Sequence, residues 1–151
     1  MNELARIDYE DTFSVSCPAG TTATEVLIGF FTRAPGIVKA LMTMRNGLVS
    51  RLGLKTERPI GGLQASMLQA RKRVGFFEIG ALTEKSAVMG ADDRHLNFRV
   101  RLWLENCVLS CTTQVQYNNT AGRVYFFFVK PFHRRIVPMM LKASVRGPAG
   151  P

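Results

Sequence analysis

The chain of 151 residues lacks most of the features that mark secreted, membrane-spanning or nucleotide-binding proteins. Its three cysteines are an odd number without a Cys-x-x-Cys pair, which favours reduced thiols and a cytoplasmic location. No apolar run reaches the roughly 18 residues that cross a bilayer, and the acidic, mixed start is not expected to be a secretory signal. Gly-x-Ser-x-Gly, P-loop and Gly-x-Gly-x-x-Gly motifs do not occur, which excludes a nucleophile elbow and those two kinds of nucleotide site.

Carboxylates are also missing from the last third of the chain. The net charge is +9, and no Asp or Glu follows Glu105, although six Lys and Arg residues do. An unbalanced basic end attracts anions, so it could bind an acidic partner. The basic residues are scattered and form no nucleic-acid-binding motif, so nucleic acid is not an expected partner.

What is present predicts one domain over residues 1–146, followed by a disordered Gly/Pro tail at 147–151. Hydrophobic residues make up 46% of the chain, enough to build a core. Apolar and polar residues alternate from Arg6 to Cys17, as in a half-buried strand. A helix should follow from a cap at Thr21 or Thr22 to about Arg33. A second helix is predicted from Pro35 to near Gly53.

The rest of the chain predicts an antiparallel sheet closed by a helix. The apolar segments of strand length are Val74–Leu82, Ser86–Ala91, His95–Glu105, Val108–Tyr117 and Arg123–Lys130. Asn118 to Gly122 is predicted as a hairpin turn, and the final helix is predicted from Pro131 to about Val145, interrupted by Pro138. The fold class is therefore α+β, a curved antiparallel sheet of about six strands with two N-terminal helices and a C-terminal helix.

Four segments carry a resemblance to a known family. They are Asp8-Tyr-Glu-Asp-Thr-Phe-Ser-Val, Arg33-Ala-Pro-Gly with Met44-Arg-Asn, Gly90-Ala-Asp-Asp-Arg-His-Leu-Asn-Phe-Arg99, and Pro131-Phe-His-Arg-Arg-Ile. Together they resemble the bacterial domain-of-unknown-function family 2867, which is similar to the START/Bet v-type helix-grip (SRPBCC) superfamily. The resemblance implies an apolar cavity between the sheet and the C-terminal helix, and it implies no activity. The short final helix predicts a smaller cavity, or one closed by a second subunit.

Strand parity predicts which residues line that cavity. In the strand that starts at His95, the even positions form an uninterrupted apolar face. The predicted ligand-binding residues are Phe76, Glu78, Phe98, Val100, Cys111, Thr113 and Phe126, with Ile136 and Met140 from the helix. Glu78 would be a polar anchor with a raised pKa, and the alternative is a solvated carboxylate at an edge.

Polar candidates lie in two places. Asp92, Asp93, Arg94 and His95 could do acid–base work or hold a metal, but a hairpin turn with Asp–Arg pairing explains them as well, and no metal site is predicted. His133 is expected in the first turn of the last helix, neutral and hydrogen-bonded to a strand or loop. A role in the pocket is the alternative.

The opposite face of the His95–Glu105 strand carries Arg99, Arg101 and Trp103. Since Trp and Arg are enriched at interface hot spots, this outer face predicts a homodimer.

Three functions are compatible with these patterns. The favoured one is non-catalytic binding of a small hydrophobic or amphipathic molecule in the cavity, without a cofactor. The alternatives are an enzyme, cyclase- or hydrolase-like, using His95, His133 or Tyr125, and a regulatory protein that binds a partner through its basic C-terminal surface.

Overall fold

The computed structural model describes residues 2–33, 43, 73–74 and 77–146. Within them it has an antiparallel sheet, which is curved, and two long helices. The elements in chain order are β1 (Tyr9–Ser16), α1 (Ala23–Thr32), β2 (Arg73–Val74), β3 (Phe77–Leu82), β4 (Ser86–Asp92), β5 (Leu96–Glu105), β6 (Val108–Tyr117) and α2 (Thr120–Val145). The α+β class and the sheet of six strands are as the sequence predicts.

The first strand and helix follow from local sequence. Residues of β1 alternate between half-buried and exposed along its whole length, which is the period of a strand with one covered face. Thr22 caps α1: its side chain accepts from the backbone N–H of Glu25, and the Glu25 carboxylate accepts from the backbone N–H of Thr22. This capping box confirms the predicted start of the helix.

The strand order in the sheet is β1-β6-β5-β4-β3-β2, antiparallel throughout. The first strand therefore pairs with the last one, and the others form a meander. Asn106 and Cys107 join β5 to β6 with φ values of 50° and 60°. Two positive φ values in a two-residue connection belong to a type I′ turn, whose twist matches that of the flanking strands.

Both helices pack on one face of the sheet, here called the inner face. The core consists of inward residues of the strands and facing residues of the helices. Its fully buried members include Val26, Leu27, Met89, Leu102, Leu109, Cys111 and Leu141. The helices approach each other closely at Gly29, where an added Cβ would lie 2.8 Å from the Ser144 carbonyl oxygen.

The prediction of a strand at Arg123–Lys130 is wrong, and so is the helix start at Pro131. Helix α2 runs without interruption for 26 residues and contains both Pro131 and Pro138. The final helix is therefore longer than predicted, about 39 Å. The segment read as a hairpin turn is its N-cap: the Asn119 side chain accepts from the Gly122 N–H at 3.0 Å.

Competition between two local patterns explains the error. Asn is favoured both in turns and at helix N-caps, so it does not distinguish them. Adjacent phenylalanines favour strands only where the surroundings allow a sheet, since strand propensity is context-dependent. Pro131 lies on the exposed side of α2, so water can reach the Phe127 carbonyl that the proline leaves without an intrahelical donor.

One strand was predicted with the wrong face inward. The segment expected as Val74–Leu82 consists of two strands, β2 and β3, and a bulge lies between Ile79 and Ala81. In β3 the odd residues Phe77 and Ile79 pack against the core, so Glu78 points to the outer face. Phe76, the tail at 147–151 and, apart from Thr43, the predicted second helix (35–53) lie outside the described residues. No helix in the described part of the chain is long and apolar enough to span a membrane.

Candidate functional site

A carboxylate lies on the inner face of β1, where its neighbours of the same parity are Tyr9 and Phe13. Asp11 is directly opposite Thr113 of β6, and Thr113 is opposite Val100 of β5. The Asp11 side chain is 12% exposed because α2 covers this part of the sheet. An acidic group in such a place needs partners, since an unpaired buried charge is costly.

Asp11 has two partners, one from β1 and one from α2. The Tyr9 hydroxyl donates to Asp11 Oδ2 at 2.5 Å, and His133 Nε2 lies 3.3 Å from Asp11 Oδ1. Burial alone would raise the pKa of Asp11, but the hydrogen bonds from His133 and Tyr9 outweigh it and hold that pKa below its usual value. Burial, with the hydrogen bond to Asp11, raises the pKa of Tyr9 far above its usual value. Asp11 is thus an ionised acceptor and Tyr9 a neutral donor.

Aromatic rings surround this polar group. The ring of Phe126 lies 4.8 Å from that of Tyr9 and 6.3 Å from that of His133, measured between centroids. Tyr117 adds a third contact with Phe126, at 5.8 Å. Lys130 Nζ lies 4.8 Å from the centroid of the Tyr9 ring, a cation–π distance. These contacts fix the rings around Asp11 in one arrangement.

Thr113 is a second polar residue on the inner face of the sheet. It is 3% exposed, and its Oγ1 has no hydrogen-bond partner among the described residues. Cys111, two residues earlier on the same face, is fully buried; burial raises the pKa of its thiol to about 12, and a polar contact with the Thr113 side chain lowers that pKa in part. The thiol and the hydroxyl do not reach hydrogen-bond geometry in the described part of the chain, and a thiol is a weak partner, so this neighbour does not satisfy the hydroxyl. A buried hydroxyl left unpaired costs about 1–3 kcal/mol and calls for an explanation.

An apolar surface continues from Thr113 across the sheet. Phe98 of β5 lies 5.5 Å from Phe77 of β3, and Phe77 lies 5.3 Å from Phe31 of α1, between ring centroids. All three side chains are half-buried. We call the group formed by Tyr9, Asp11, Thr113, His133 and Phe98 the inner site. It combines an ionised acceptor, an unpaired hydroxyl and an imidazole with an aromatic wall, the composition of a small-molecule site.

Most predicted ligand-binding residues lie on the inner face. Phe98, Val100, Cys111 and Thr113 project from the sheet, and Phe126 faces them from the helix rather than from a strand. On α2, Met140 packs against the core and Ile136 is half-buried.

Glu78 is wrongly predicted as an inner anchor. It is exposed on the outer face, and Arg73 Nη2 lies 3.7 Å from its Oε1. Glu78 lies on the outer face because the odd-numbered residues of β3 are the ones that point inward.

Sequence reasoning missed Tyr9 and Asp11. The available signal was a carboxylate at an inward position of an alternating strand, between Tyr9 and Phe13. His133 was a candidate, but it lies in the middle of α2 rather than in a first turn, so the predicted effect of the helix dipole does not apply.

The cluster from Asp92 to His95 forms the end of β4 and the turn into β5. Its side chains have different partners: Asp92 contacts Arg99, whereas His95 Nδ1 lies within 3.2 Å of the Asn119 side chain at the start of α2. The Gly122 backbone lies against the His95 carbonyl, and about 16 Å of helix separates Gly122 from His133. His95 and His133 are therefore too far apart to act in one site. No group of three His, Cys, Asp or Glu residues suited to a metal occurs in the described ranges.

The outer face is partly covered by the N-terminal segment, residues 2–8. Arg99 is only 4% exposed, since it forms two contacts with Asp92, at 2.6 and 3.2 Å, and donates to the Asn2 carbonyl at 2.9 Å. Arg101 reaches Glu3 at 3.4 Å. A cavity of about 250 Å³ lies between this segment and the sheet. Arg99 is thus occupied by the chain itself and is not presented to a second subunit.

Comparison with known proteins gives one match. The family model of a protein of unknown function, DUF2867, matches residues 4–140, so it includes every element of the fold up to the last turn of α2. No curated protein and no solved structure matches the chain.

Proposed function

The chain belongs to the DUF2867 family, and since that membership brings no activity with it, we propose from the inner site that the protein binds a small, mostly apolar molecule with a hydroxyl or carbonyl end. The observation that carries the proposal is the buried hydroxyl of Thr113, which has no hydrogen-bond partner among the described residues and lies opposite the ionised Asp11. A ligand oxygen at that point would accept from Thr113 or donate to Asp11, and so remove the cost of the unpaired group.

The surrounding side chains favour an apolar body for this ligand. Phe98 lies on β5, the strand next to that of Thr113, Phe77 lies 5.5 Å from Phe98 between ring centroids, and Phe126 bounds the site on the helix side. Few polar groups are needed to orient a ligand in a mostly apolar site. A charged ligand is not favoured, because the described part of the inner site already pairs its carboxylate with Tyr9 and His133.

The probes that test this proposal are 4-propylphenol and propylbenzene, which differ by one hydroxyl. We expect 4-propylphenol to raise the melting temperature more than propylbenzene does, because ligands that bind the native state stabilise it. Phe98→Trp should weaken the effect, because the larger ring adds bulk beside the inner site. Trp103→Ala, on the outer face, is the control and should leave it unchanged. Equal shifts for both probes, or loss of binding in Trp103→Ala alone, would contradict the proposal.

A second candidate function is supported by the contact of Asp11 with His133. A carboxylate that holds one imidazole nitrogen orients the ring and leaves the other nitrogen to act as a general base. Hydrolysis fits this arrangement: His133 would take a proton from water as the water attacks an ester carbonyl, and would return it to the alcohol oxygen as the ester C–O bond breaks. A thiol nucleophile is not favoured, since Cys111 is fully buried and its pKa is raised to about 12. Hydrolysis of 4-nitrophenyl butyrate by the wild type but not by His133→Gln would support this function, and equal rates would exclude it.

The proposal also includes the superfamily, the cellular location and the oligomeric state of the protein. We infer a relationship to the helix-grip superfamily from the meander that is closed by one long helix. We infer a cytoplasmic location from the free thiols of Cys17, Cys107 and Cys111. A homodimer would use the part of the outer face around Trp103, because Arg99 is covered.

A further inference from the structure

Helix α2 has an apolar face that points away from the sheet. Val124, Phe128, Phe132 and Met139 are 52%, 58%, 42% and 40% exposed, and Phe127 beside them is 72% exposed. Steps of four and seven residues keep side chains on one side of a helix. We call these five residues the outward face. It extends along about 22 Å of helix, from Val124 to Met139.

Exposed cations accompany the outward face. They are Arg134, Arg135 and Lys142, and the same helix carries Arg123 and Lys130, which lie over the Tyr117 and Tyr9 rings of the sheet. Helix α2 contains no carboxylate, and none follows Glu105 in the sequence. The charged side chains of α2 are therefore all positive.

We propose that the outward face of α2 binds the surface of an anionic lipid membrane. Exposed phenylalanines next to lysines and arginines are the composition of a helix that lies in the membrane interface, with apolar side chains among the acyl chains and cations on the lipid phosphates. The helix would lie on the membrane, and the sheet would face the water.

Charge and shape argue against the other occupants. A second copy placed on the same face would bring two uniformly positive helices together, which is repulsive. Single-stranded nucleic acid would use the aromatic rings for stacking, but Val124 and Met139 offer no ring face, and they form the two ends of the outward face. An acidic lipid surface uses both the aliphatic and the aromatic members.

Sedimentation with vesicles tests the proposal. We expect the protein to bind vesicles of phosphatidylcholine with 30% phosphatidylserine at about 0.1 M salt, and to bind pure phosphatidylcholine at least tenfold more weakly. Phe127→Ser with Phe128→Ser should abolish binding. Both side chains are mostly exposed, so the double variant should keep the wild-type melting temperature.

A matched pair of variants separates charge at this face from charge in general. Arg134→Gln with Arg135→Gln should weaken binding about 30-fold, at about fivefold for each cation. Lys85→Gln with Arg94→Gln removes two exposed cations elsewhere and should have little effect.

Several results would overturn the proposal. They are equal binding to both vesicle types, unchanged binding of the phenylalanine variant, and binding to polyuridylate but not to vesicles. A concentration-dependent dimer that the phenylalanine substitutions dissociate, with no vesicle binding, would also overturn it. The inner site does not take part, so Thr113→Val should bind vesicles as the wild type does.

Discussion

Replacing Thr113 by valine removes the unpaired hydroxyl while keeping a β-branched side chain of similar shape. At most buried positions a Thr→Val substitution destabilises the protein, because it breaks a hydrogen bond. Here Oγ1 has no partner among the described residues, so the substitution removes a desolvated group and no hydrogen bond. We expect the ligand-free protein to become more stable by about 1 kcal/mol, at the low end of the cost of an unpaired polar group. In a chain of 151 residues this corresponds to a rise in melting temperature of about 2–4 °C.

The same substitution should have the opposite effect on the ligand. Without the hydroxyl, the variant should no longer distinguish 4-propylphenol from propylbenzene, since the apolar wall of Phe98 and Phe77 remains. Scanning calorimetry with and without each probe measures both effects in one experiment. A variant that gains stability and loses discrimination indicates that the native threonine is retained for binding.

Thr112→Val is the matched control. Thr112 is the adjacent residue on the outer face, where its hydroxyl contacts that of Thr12 at 2.6 Å. This variant should lose up to about 1 kcal/mol and keep the discrimination between the probes. If Thr113→Val lowers the melting temperature, or if it keeps the preference for the phenol, the Thr113 hydroxyl already has a partner and the reasoning fails.

Three other perturbations probe the same structure. Asp11→Asn should reduce the loss of unfolding free energy at acid pH, measured by urea unfolding at several pH values. The pKa of Asp11 in the folded protein is below its usual value, so Asp11 stabilises the protein above about pH 4, and this stabilisation is lost as the pH falls through the folded pKa. The same loss of stability at acid pH in the wild type and the variant would contradict the Asp11 contacts. Cys107 is exposed in the β5–β6 turn and should react with iodoacetamide in the native protein, whereas Cys111 should react only after unfolding. Comparable alkylation rates of the two thiols in the native protein would contradict the burial of Cys111. Gly122→Ala should lower the melting temperature although alanine favours helices, because its Cβ would meet the His95 carbonyl oxygen; a rise would show that the contact can relax.

The sequence predicted an element correctly where its local pattern is typical of one kind of structure only. Strand β6 has the predicted bounds, Val108–Tyr117, since alternation extends over its whole length. The capping box at Thr22 located the start of α1. The faces of strand β3 were predicted wrongly: β3 begins after a separate short strand, its inward residues are Phe77 and Ile79, and Glu78, predicted to be inside, lies on the outer face.

The inner site could be predicted only in part, because it depends on long-range contacts. Parity alone placed Thr113 and Phe98 on the inner face. The contact between Asp11 and His133 joins residues 122 positions apart. It required the correct path of α2, and the sequence predicted that helix to begin only two residues before His133. A strand ending at Lys130 would have removed Phe126 from the helix that completes the site.

The misread segment has two apolar faces, and both proposals depend on it. An ordinary surface helix shows one apolar stripe, and its period identifies it. In α2, Phe126 faces the sheet and is 5% exposed, whereas Phe128 faces outward and is 58% exposed, with Phe127 between them. Because three adjacent phenylalanines lie on different sides of one helix, the apolar residues do not recur every three or four positions. The segment therefore has the sequence pattern of a buried strand. A helix that contacted only the sheet would not need Phe128. Sequence reasoning fails where a local rule is broken for a purpose, so the failure itself points to the outward face as a second contact surface.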